Sequence, residues 1–92
     1  MKTVKLIKKV SANGRTFLIT KDENGYWGIE DKYYKNGILT RSFNGIQGLQ
    51  SNSLEKTEMN VRLRIEVDRL KDSGMDLMEA IPQAYVNLGI EF

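Results

Sequence analysis

The sequence contains no cysteine and no histidine, and it has a single proline in 92 residues. Without cysteine there is no disulfide, no thiolate metal site and no cysteine nucleophile. Without histidine the Ser–His–Asp arrangement is excluded as well. A cysteine-free composition is compatible with the reducing cytoplasm, where we expect the protein to be located.

Long hydrophobic runs are also missing. No segment approaches the ~20 apolar residues that a membrane-spanning helix needs, so we expect no membrane partner. Four lysines interrupt the first ten residues, a pattern unlike a signal peptide. Hydrophobic residues make up 40% and charged residues 28% of the chain, which predicts one small globular domain over residues 1–92.

Charge is divided unevenly between the two halves. Residues 1–48 carry nine Lys and Arg against four Asp and Glu, whereas residues 49–92 carry five against eight. A basic half attracts nucleic acid or an acidic partner. Lysines on edge strands, which prevent edge-to-edge pairing, explain the same pattern, and both explanations stay open.

Turn signals divide the first half into short strands. Between the strands Asn-Gly occurs at Asn13-Gly14, Asn24-Gly25 and Asn36-Gly37, and a fourth copy, Asn44-Gly45, begins the loop after the last strand. This dipeptide favours the positive φ angles of tight hairpins. Apolar and β-branched residues lie between the turns, and the last such run is Ile38–Phe43. The spacing predicts an antiparallel meander of about four strands over residues 3–43.

The segment Ser53–Asp72 fits two structures. Apolar and polar residues alternate from Met59 to Val67, so a fifth strand over residues 58–68 is one alternative. Asn52 and Glu55 resemble a helix capping box, and opposite charges recur at i,i+4 spacing. We favour the helix.

Wound as a helix, this segment has two apolar stripes on nearly opposite sides. Leu54, Val61 and Ile65 form the first stripe, and the second consists of Met59, Leu63, Val67 and Leu70. One stripe needs the sheet as cover. The other needs a second helix or a second subunit, which leads us to expect a homodimer.

The last segment predicts a second helix. Gly74 suits a helix end, and Asp76 with Glu79 suits the next helix start. Pro82 lies inside this second helix, where a kink or break is possible, and Gly89 is a natural stop.

The fold class is therefore α+β, with the meander followed by two helices over about residues 53–89. The residues expected in the core are Phe17, Ile19, Trp27, Ile29, Ile81 and Leu88.

Catalytic chemistry has little support in the sequence. Glu30 and Asp31 would point to opposite faces of a strand, so they do not form a convergent acid–base pair. The glycine-rich run 44–48 has no phosphate-binding motif. We therefore expect no enzyme activity, no catalytic residues, no cofactor and no metal site.

Residues 60–81 locally resemble the ribbon–helix–helix antitoxins, in which a strand with alternating polar side chains reads DNA and a glycine separates two helices. Here the alternating residues are Asn60–Asp68 and the glycine is Gly74. By this resemblance Asn60, Arg62 and Arg64 would face DNA. As a strand, however, the segment leaves too few residues before Gly74 for a full first helix, so we assign no family.

The sequence thus predicts a small binding or regulatory module that acts through a protein surface, as a homodimer and with an unidentified protein partner. The expected interface residues are Tyr33, Tyr34, Met59 and Leu63. A DNA-binding transcriptional regulator or antitoxin-like protein is the alternative, with Arg62 and Arg64 as its nucleic-acid contacts.

Overall fold

The computed structural model describes the backbone of residues 2–3, 5–35, 38–39 and 49–90, and the side chains of residues 5–33 and 49–90. The chain forms antiparallel strands followed by two helices, which confirms the α+β fold. The strands are β1 (Lys2–Thr3), β2 (Lys5–Ala12), β3 (Arg15–Asp22), β4 (Gly25–Glu30), β5 (Tyr34–Lys35), β6 (Ile38–Leu39) and β7 (Leu49–Ser51). A short 3-10 helix, Asp31–Tyr33, follows β4, and the helices are α1 (Leu54–Asp72) and α2 (Leu77–Asn87).

The main sheet has the order β2-β3-β4-β7, and all its pairs are antiparallel. Its first hairpin turns at Asn13 and Gly14, whose φ angles are 51° and 76°. These left-handed values are the reason that Asn-Gly suits a two-residue turn. The second hairpin turns between Asp22 and Gly25, and Asp22 Oδ1 accepts a hydrogen bond from the Asn24 N–H at 2.8 Å. Both predicted turns are confirmed.

The fourth strand of the main sheet is not the predicted one. Ile38–Leu39 forms β6, which belongs to a second, small sheet with the order β1-β6-β5. Residues 40–48 and the predicted turn residues 36–37 lie outside the described residues. Beside β4 the main sheet is instead completed by Leu49–Ser51, which the sequence left unassigned.

The disputed segment is helical throughout, so a strand over residues 58–68 is wrong. The helix begins one residue later than predicted, because Ser53 rather than Asn52 is the N-cap, its hydroxyl accepting the Lys56 N–H at 3.3 Å. The helix ends at Asp72 with Ser73 as its C-cap, and Gly74 follows as the predicted C′ glycine, with a φ of 105°. Beyond it, the Met75 N–H donates to the Leu70 carbonyl at 3.0 Å, a Schellman-type closure.

The first stripe of α1 packs on the sheet. Val61 and Ile65 are buried against Val10, Phe17 and Ile19. The side chain of Val61 lies over Gly28 of β4, where a Cβ atom would overlap its Cγ2 methyl group. A glycine at this position therefore sets how closely α1 approaches the sheet.

The second stripe of α1 packs against α2. Leu63 and Leu70 are buried together with Ala80 and Ala84 of α2. Two alanines at i,i+4 spacing present a flat surface, so the helices approach closely along that line. Cover for the second stripe therefore comes from the same chain, and the original reason for expecting a dimer no longer applies.

The second helix begins at the predicted N-cap, where Asp76 Oδ2 accepts the Met78 N–H at 3.3 Å. It continues through Pro82 to Asn87 without a break. After Gly89 (φ 68°), Ile90 folds back against the second cluster as expected.

The predicted core is largely correct in the sheet and less so in α2. Phe17, Ile19 and Ile29 are buried. Trp27 and Ile81 are only partly buried. The prediction for Leu88 is wrong: it follows Ala84 by one turn, but as the C-cap it lies at the very end of α2 and is 37% exposed.

Candidate protein-binding surface

Exposed apolar side chains are concentrated on α2. Within the described part of the chain, four of the five exposed large hydrophobic residues belong to this helix or its C-cap. They are Leu77, Met78, Val86 and Leu88, and the two most exposed are Met78 at 77% and Val86 at 70%. Isolated exposed hydrophobic residues are ordinary, whereas a contiguous group on one helix marks a candidate binding site.

Helical geometry places these residues in two rows. At about 100° per residue, Met78, Pro82 and Val86 follow i,i+4,i+8 spacing and form one ridge. This ridge lies nearly opposite the buried Ala80 and Ala84. A second row, with Leu77, Ile81 and Leu88, is separated from the ridge by the partly buried Tyr85 and borders the buried Ala84. We call Leu77, Met78, Ile81, Pro82, Val86 and Leu88 the α2 face.

The α2 face is apolar, but the exposed Glu79 borders it, about 20° from Val86 around the helix. The other acidic residue, Asp76, is the N-cap, and α2 contains no basic residue. Gln83 and Asn87 form a separate polar row, linked by a 2.9 Å hydrogen bond from Gln83 Nε2 to Asn87 Oδ1. Recognition at the face itself therefore relies on apolar contact.

A buried carboxylate holds α2 in place. Glu66 of α1 is only 8% exposed and accepts hydrogen bonds from Arg69, from Asn87 of α2 at 2.7 Å and from Asn13 of the first hairpin at 3.4 Å. These donors, above all the Arg69 guanidinium, lower the pKa of Glu66 to about 2, although burial by itself raises it. One carboxylate thus links the sheet and both helices, and gives the α2 face a rigid support.

The low pKa predicts an acid-dependent loss of stability. Because the pKa of folded Glu66 lies below its ordinary value of 4.5, its contribution is complete above about pH 4.5 and is lost as the pH falls towards 2. We expect Glu66→Gln to lower the free energy of unfolding by about 1–3 kcal/mol at pH 7, and by less at pH 2.5. Urea titrations at both pH values measure the difference.

The matched control is Glu23→Gln, at an exposed turn position, and it should change stability by less than about 0.5 kcal/mol. Some pH dependence should remain in the Glu66→Gln protein, because ion pairs also lower the pKa values of Glu30 and Glu58. An equal loss at pH 7 and pH 2.5 would contradict the role assigned to Glu66.

The predicted interface residues do not form one exposed surface in this structure. Leu63 is 8% exposed and Met59 is partly buried, both in the cluster beneath α2. Tyr33 is partly exposed at the end of the 3-10 helix, with Lys32 Nζ 5.1 Å from its ring centre. Tyr34 begins β5, and its side chain lies outside the described residues. Their role in binding stays a prediction.

The two arginines proposed for DNA contact are separated by the helix. Two positions apart on α1, Arg62 and Arg64 point in directions about 200° from one another. Arg62 pairs with Glu58 at 3.0 Å, and Arg64 lies 3.6 Å from Asp68. The shared basic face that a strand would have provided is therefore not formed, although the nucleic-acid prediction itself is untested.

Three of the seven lysines of the basic half lie on β2, at the edge of the described main sheet. Lys5, Lys8 and Lys9 are exposed there, and Lys8 pairs with Glu58 of α1 at 2.7 Å. A register irregularity between Leu6 and Lys8 accompanies them. Lysines and an irregular edge both discourage pairing with another strand.

The α2 face was overlooked in the sequence, although a signal for it exists. The sequence analysis named only Ile81 and Leu88 of this helix, as core residues, but Met78, Pro82 and Val86 are apolar as well. A surface helix normally has a broad polar side. In α2 the polar residues after the first turn are confined to the single row of Gln83 and Asn87.

Other site classes find no support in residues 5–33 and 49–90. There, no group of three or more acidic, histidine or cysteine side chains is placed to hold a metal ion. Among the described helices, neither has the length and apolar character needed to cross a membrane.

Comparisons with known proteins return no match: no protein-family model fits the chain, and searches of curated proteins and of solved structures find no significant similarity.

Proposed function

We propose that this protein is a small, non-enzymatic binding or regulatory module that acts through a protein–protein surface, and that this surface is the α2 face. The observation that carries the proposal is the exposure of Met78 and Val86 on a helix whose opposite side is fully packed. Self-association and an unidentified protein partner are both part of the proposal. A cytoplasmic location remains a prediction from composition.

Energetics favour a binding role for this face. Covering exposed apolar surface gains roughly 25 cal/mol per Å². The helix is already held by Ala80 and Ala84 and by the hydrogen bond from Asn87 to Glu66. Little ordering is therefore needed on binding, which leaves more of the apolar gain as affinity. An apolar helix side of this kind suits contact with another helix or with an apolar groove.

A double substitution tests the proposal. Met78→Glu with Val86→Glu places two charges on the α2 face, and burying them under a partner would be costly. Both sites are strongly exposed, so the free energy of unfolding should change by less than about 1 kcal/mol. We expect the variant to stay folded and to lose at least tenfold in affinity for any protein partner that the wild type binds.

The matched control is Gln83→Glu, which adds a charge to the polar row of the same helix. Tagged copies of the wild type, the double variant and the control are expressed in the source cell to capture partners. The affinity of each form is then measured with the purified partner. A bound protein, whether another copy or a different chain, should be retained by the wild type and by the control. Equal binding by the double variant would refute the proposal.

A further inference from the structure

We propose that Asn13 is a modification site, at which the side-chain amide is lost spontaneously as ammonia and a carboxylate forms beside Glu66. Two of the four Asn-Gly pairs of the chain, Asn13-Gly14 and Asn24-Gly25, lie at the turns of the described hairpins. Their surroundings differ, and this difference selects Asn13. The site lies in the first hairpin, so it does not depend on the function proposed for the α2 face.

The reaction needs only the asparagine, the next backbone nitrogen and water. The Gly14 nitrogen attacks Cγ of Asn13, a new N–C bond forms as the Cγ–Nδ2 bond breaks, and the Gly14 amide proton leaves with the departing ammonia. Water then opens the resulting cyclic imide at either of its carbonyl carbons, which gives aspartate or isoaspartate. Glycine favours the attack because it has no side chain to obstruct its nitrogen or restrict its rotation.

The peptide bond between Asn13 and Gly14 has room to rotate. Both residues are exposed, and a Cβ atom built on Gly14 would meet no atom within 4 Å apart from its chain neighbours. Ala12 and Arg15 form the pair that closes this turn. In a β-turn the closing hydrogen bond is donated by the last residue, here Arg15, so it does not occupy the Gly14 nitrogen.

The corresponding peptide bond of the second hairpin is held at both of its ends. Gly25 is the last residue of that turn and pairs with Asp22, so its nitrogen has the closing position. The Asn24 carbonyl accepts a hydrogen bond from Gln50 Nε2 at 2.5 Å, and a Cβ atom built on Gly25 would overlap the backbone of β7. We therefore expect Asn13 to react faster than Asn24 in the folded protein.

The side chain of Asn13 is held only by a long hydrogen bond. Its Nδ2 donates to Glu66 Oε1 at 3.4 Å, whereas N–H···O bonds in proteins normally span about 2.7–3.2 Å. The same carboxylate has shorter bonds from Arg69, at 2.8 and 2.6 Å, and from Asn87, at 2.7 Å. Asn13 can therefore turn its side chain towards Gly14 while Glu66 keeps its other donors.

The product would act against the link that Glu66 makes. A carboxylate at residue 13 replaces a donor by a second negative charge, facing a side chain that is only 8% exposed. Like charges at such a site destabilise each other. Isoaspartate also adds a carbon to the backbone of a two-residue turn, which disturbs the register that the turn sets. The modification thus weakens the connection between the sheet and both helices, in one direction only because the ammonia is lost.

Peptide mapping tests the site. Trypsin cleaves after Lys and Arg, which places Asn13 in residues 10–15 and Asn24 in residues 22–32. The folded chain is kept in a warm, mildly alkaline buffer, and mass spectrometry of both peptides follows the replacement of NH2 by OH with time. We expect Asn13 to convert at least about fivefold faster, the factor caused by one hydrogen bond that must open first. In concentrated urea the two rates should be nearly equal. Equal rates in the folded protein, a faster Asn24, or the same ratio in urea would overturn the proposal.

A substitution tests the consequence. Asn13→Asp introduces one of the two products directly, and Asn24→Asp is the matched control. We expect Asn13→Asp to lower the urea midpoint of unfolding at neutral pH, and Asn24→Asp to change it much less. In a Glu66→Gln background no carboxylate faces residue 13, so the shift caused by Asn13→Asp should be reduced to about half or less. An undiminished shift, or no shift in the wild-type background, would show that the new carboxylate does not act on Glu66.

Discussion

Replacing Leu63 by Asp is expected to lower the free energy of unfolding by about 3–5 kcal/mol, enough to leave a domain of this size largely unfolded. Leu63 lies between α1 and α2, packed in one cluster with Leu70, Ala80 and Ala84. A carboxylate there would be cut off from water, and the described structure offers it no cation in that cluster. Urea denaturation followed by circular dichroism measures the loss.

A second variant and a control keep this prediction decisive. Leu63→Ala should cost about 2–4 kcal/mol if Leu63→Asp does not fold. Met78→Asp, on the exposed side of α2, should cost less than about 1 kcal/mol.

Protein concentration separates the two possible covers of the second stripe. If a second subunit covered Leu63, contacts at this stripe would make the midpoint of unfolding rise with protein concentration. The loss of stability caused by Leu63→Ala would then depend on protein concentration as well. With α2 of the same chain as cover, we expect the loss to be independent of concentration. Wild-type stability in the Leu63→Asp protein would show that α2 does not cover this stripe.

Replacing Gly28 by Ala is expected to cost about 2–3 kcal/mol, an unusual effect for the addition of one methyl group. The new Cβ atom would overlap Val61 Cγ2 and would also lie 3.5 Å from Leu49 Cβ. Either α1 moves away from the sheet or its core side chains leave their preferred rotamers. Thermal and urea unfolding of the purified variant measure the cost.

A double-mutant cycle identifies the cause. Val61→Ala alone should destabilise the fold, because it leaves a cavity over β4. Combined with Gly28→Ala, it removes the overlapping methyl groups, so the double variant should lose at least 1 kcal/mol less than the sum of the single losses. Additive losses would mean that Gly28 matters for another reason. Gly14→Ala is not a suitable control, because the positive φ of Gly14 adds strain of its own.

Local features of the structure were predictable because their causes are local. A hairpin turn at Asn13-Gly14 needs only residues that tolerate positive φ. The end of α1 before Gly74 and the start of α2 after Asp76 depend on backbone groups within a few residues. The one-residue error at the start of α1 has the same scale: Asn52 and Ser53 are neighbours and both suit an N-cap, and Ser53 is the one that caps the helix.

The fourth strand illustrates what local signals omit. Leu49–Ser51 is three residues long and has no alternating pattern of its own. It becomes a strand because β4 presents unpaired backbone groups, with Tyr26 opposite Ser51 and Gly28 opposite Leu49. Pairing between distant segments is a property of the assembled sheet, and no short stretch of sequence records it.

The sequence by itself determined the α+β class, the two hairpins and the presence of two apolar stripes on α1, because periodicity states which side chains share a face. Periodicity does not state what packs on that face. The tertiary structure decided that α2 covers the Leu63 stripe and that Arg62 and Arg64 point apart. It also left Met78 and Val86 exposed, because a helix apolar on most of its surface can turn only one side towards α1.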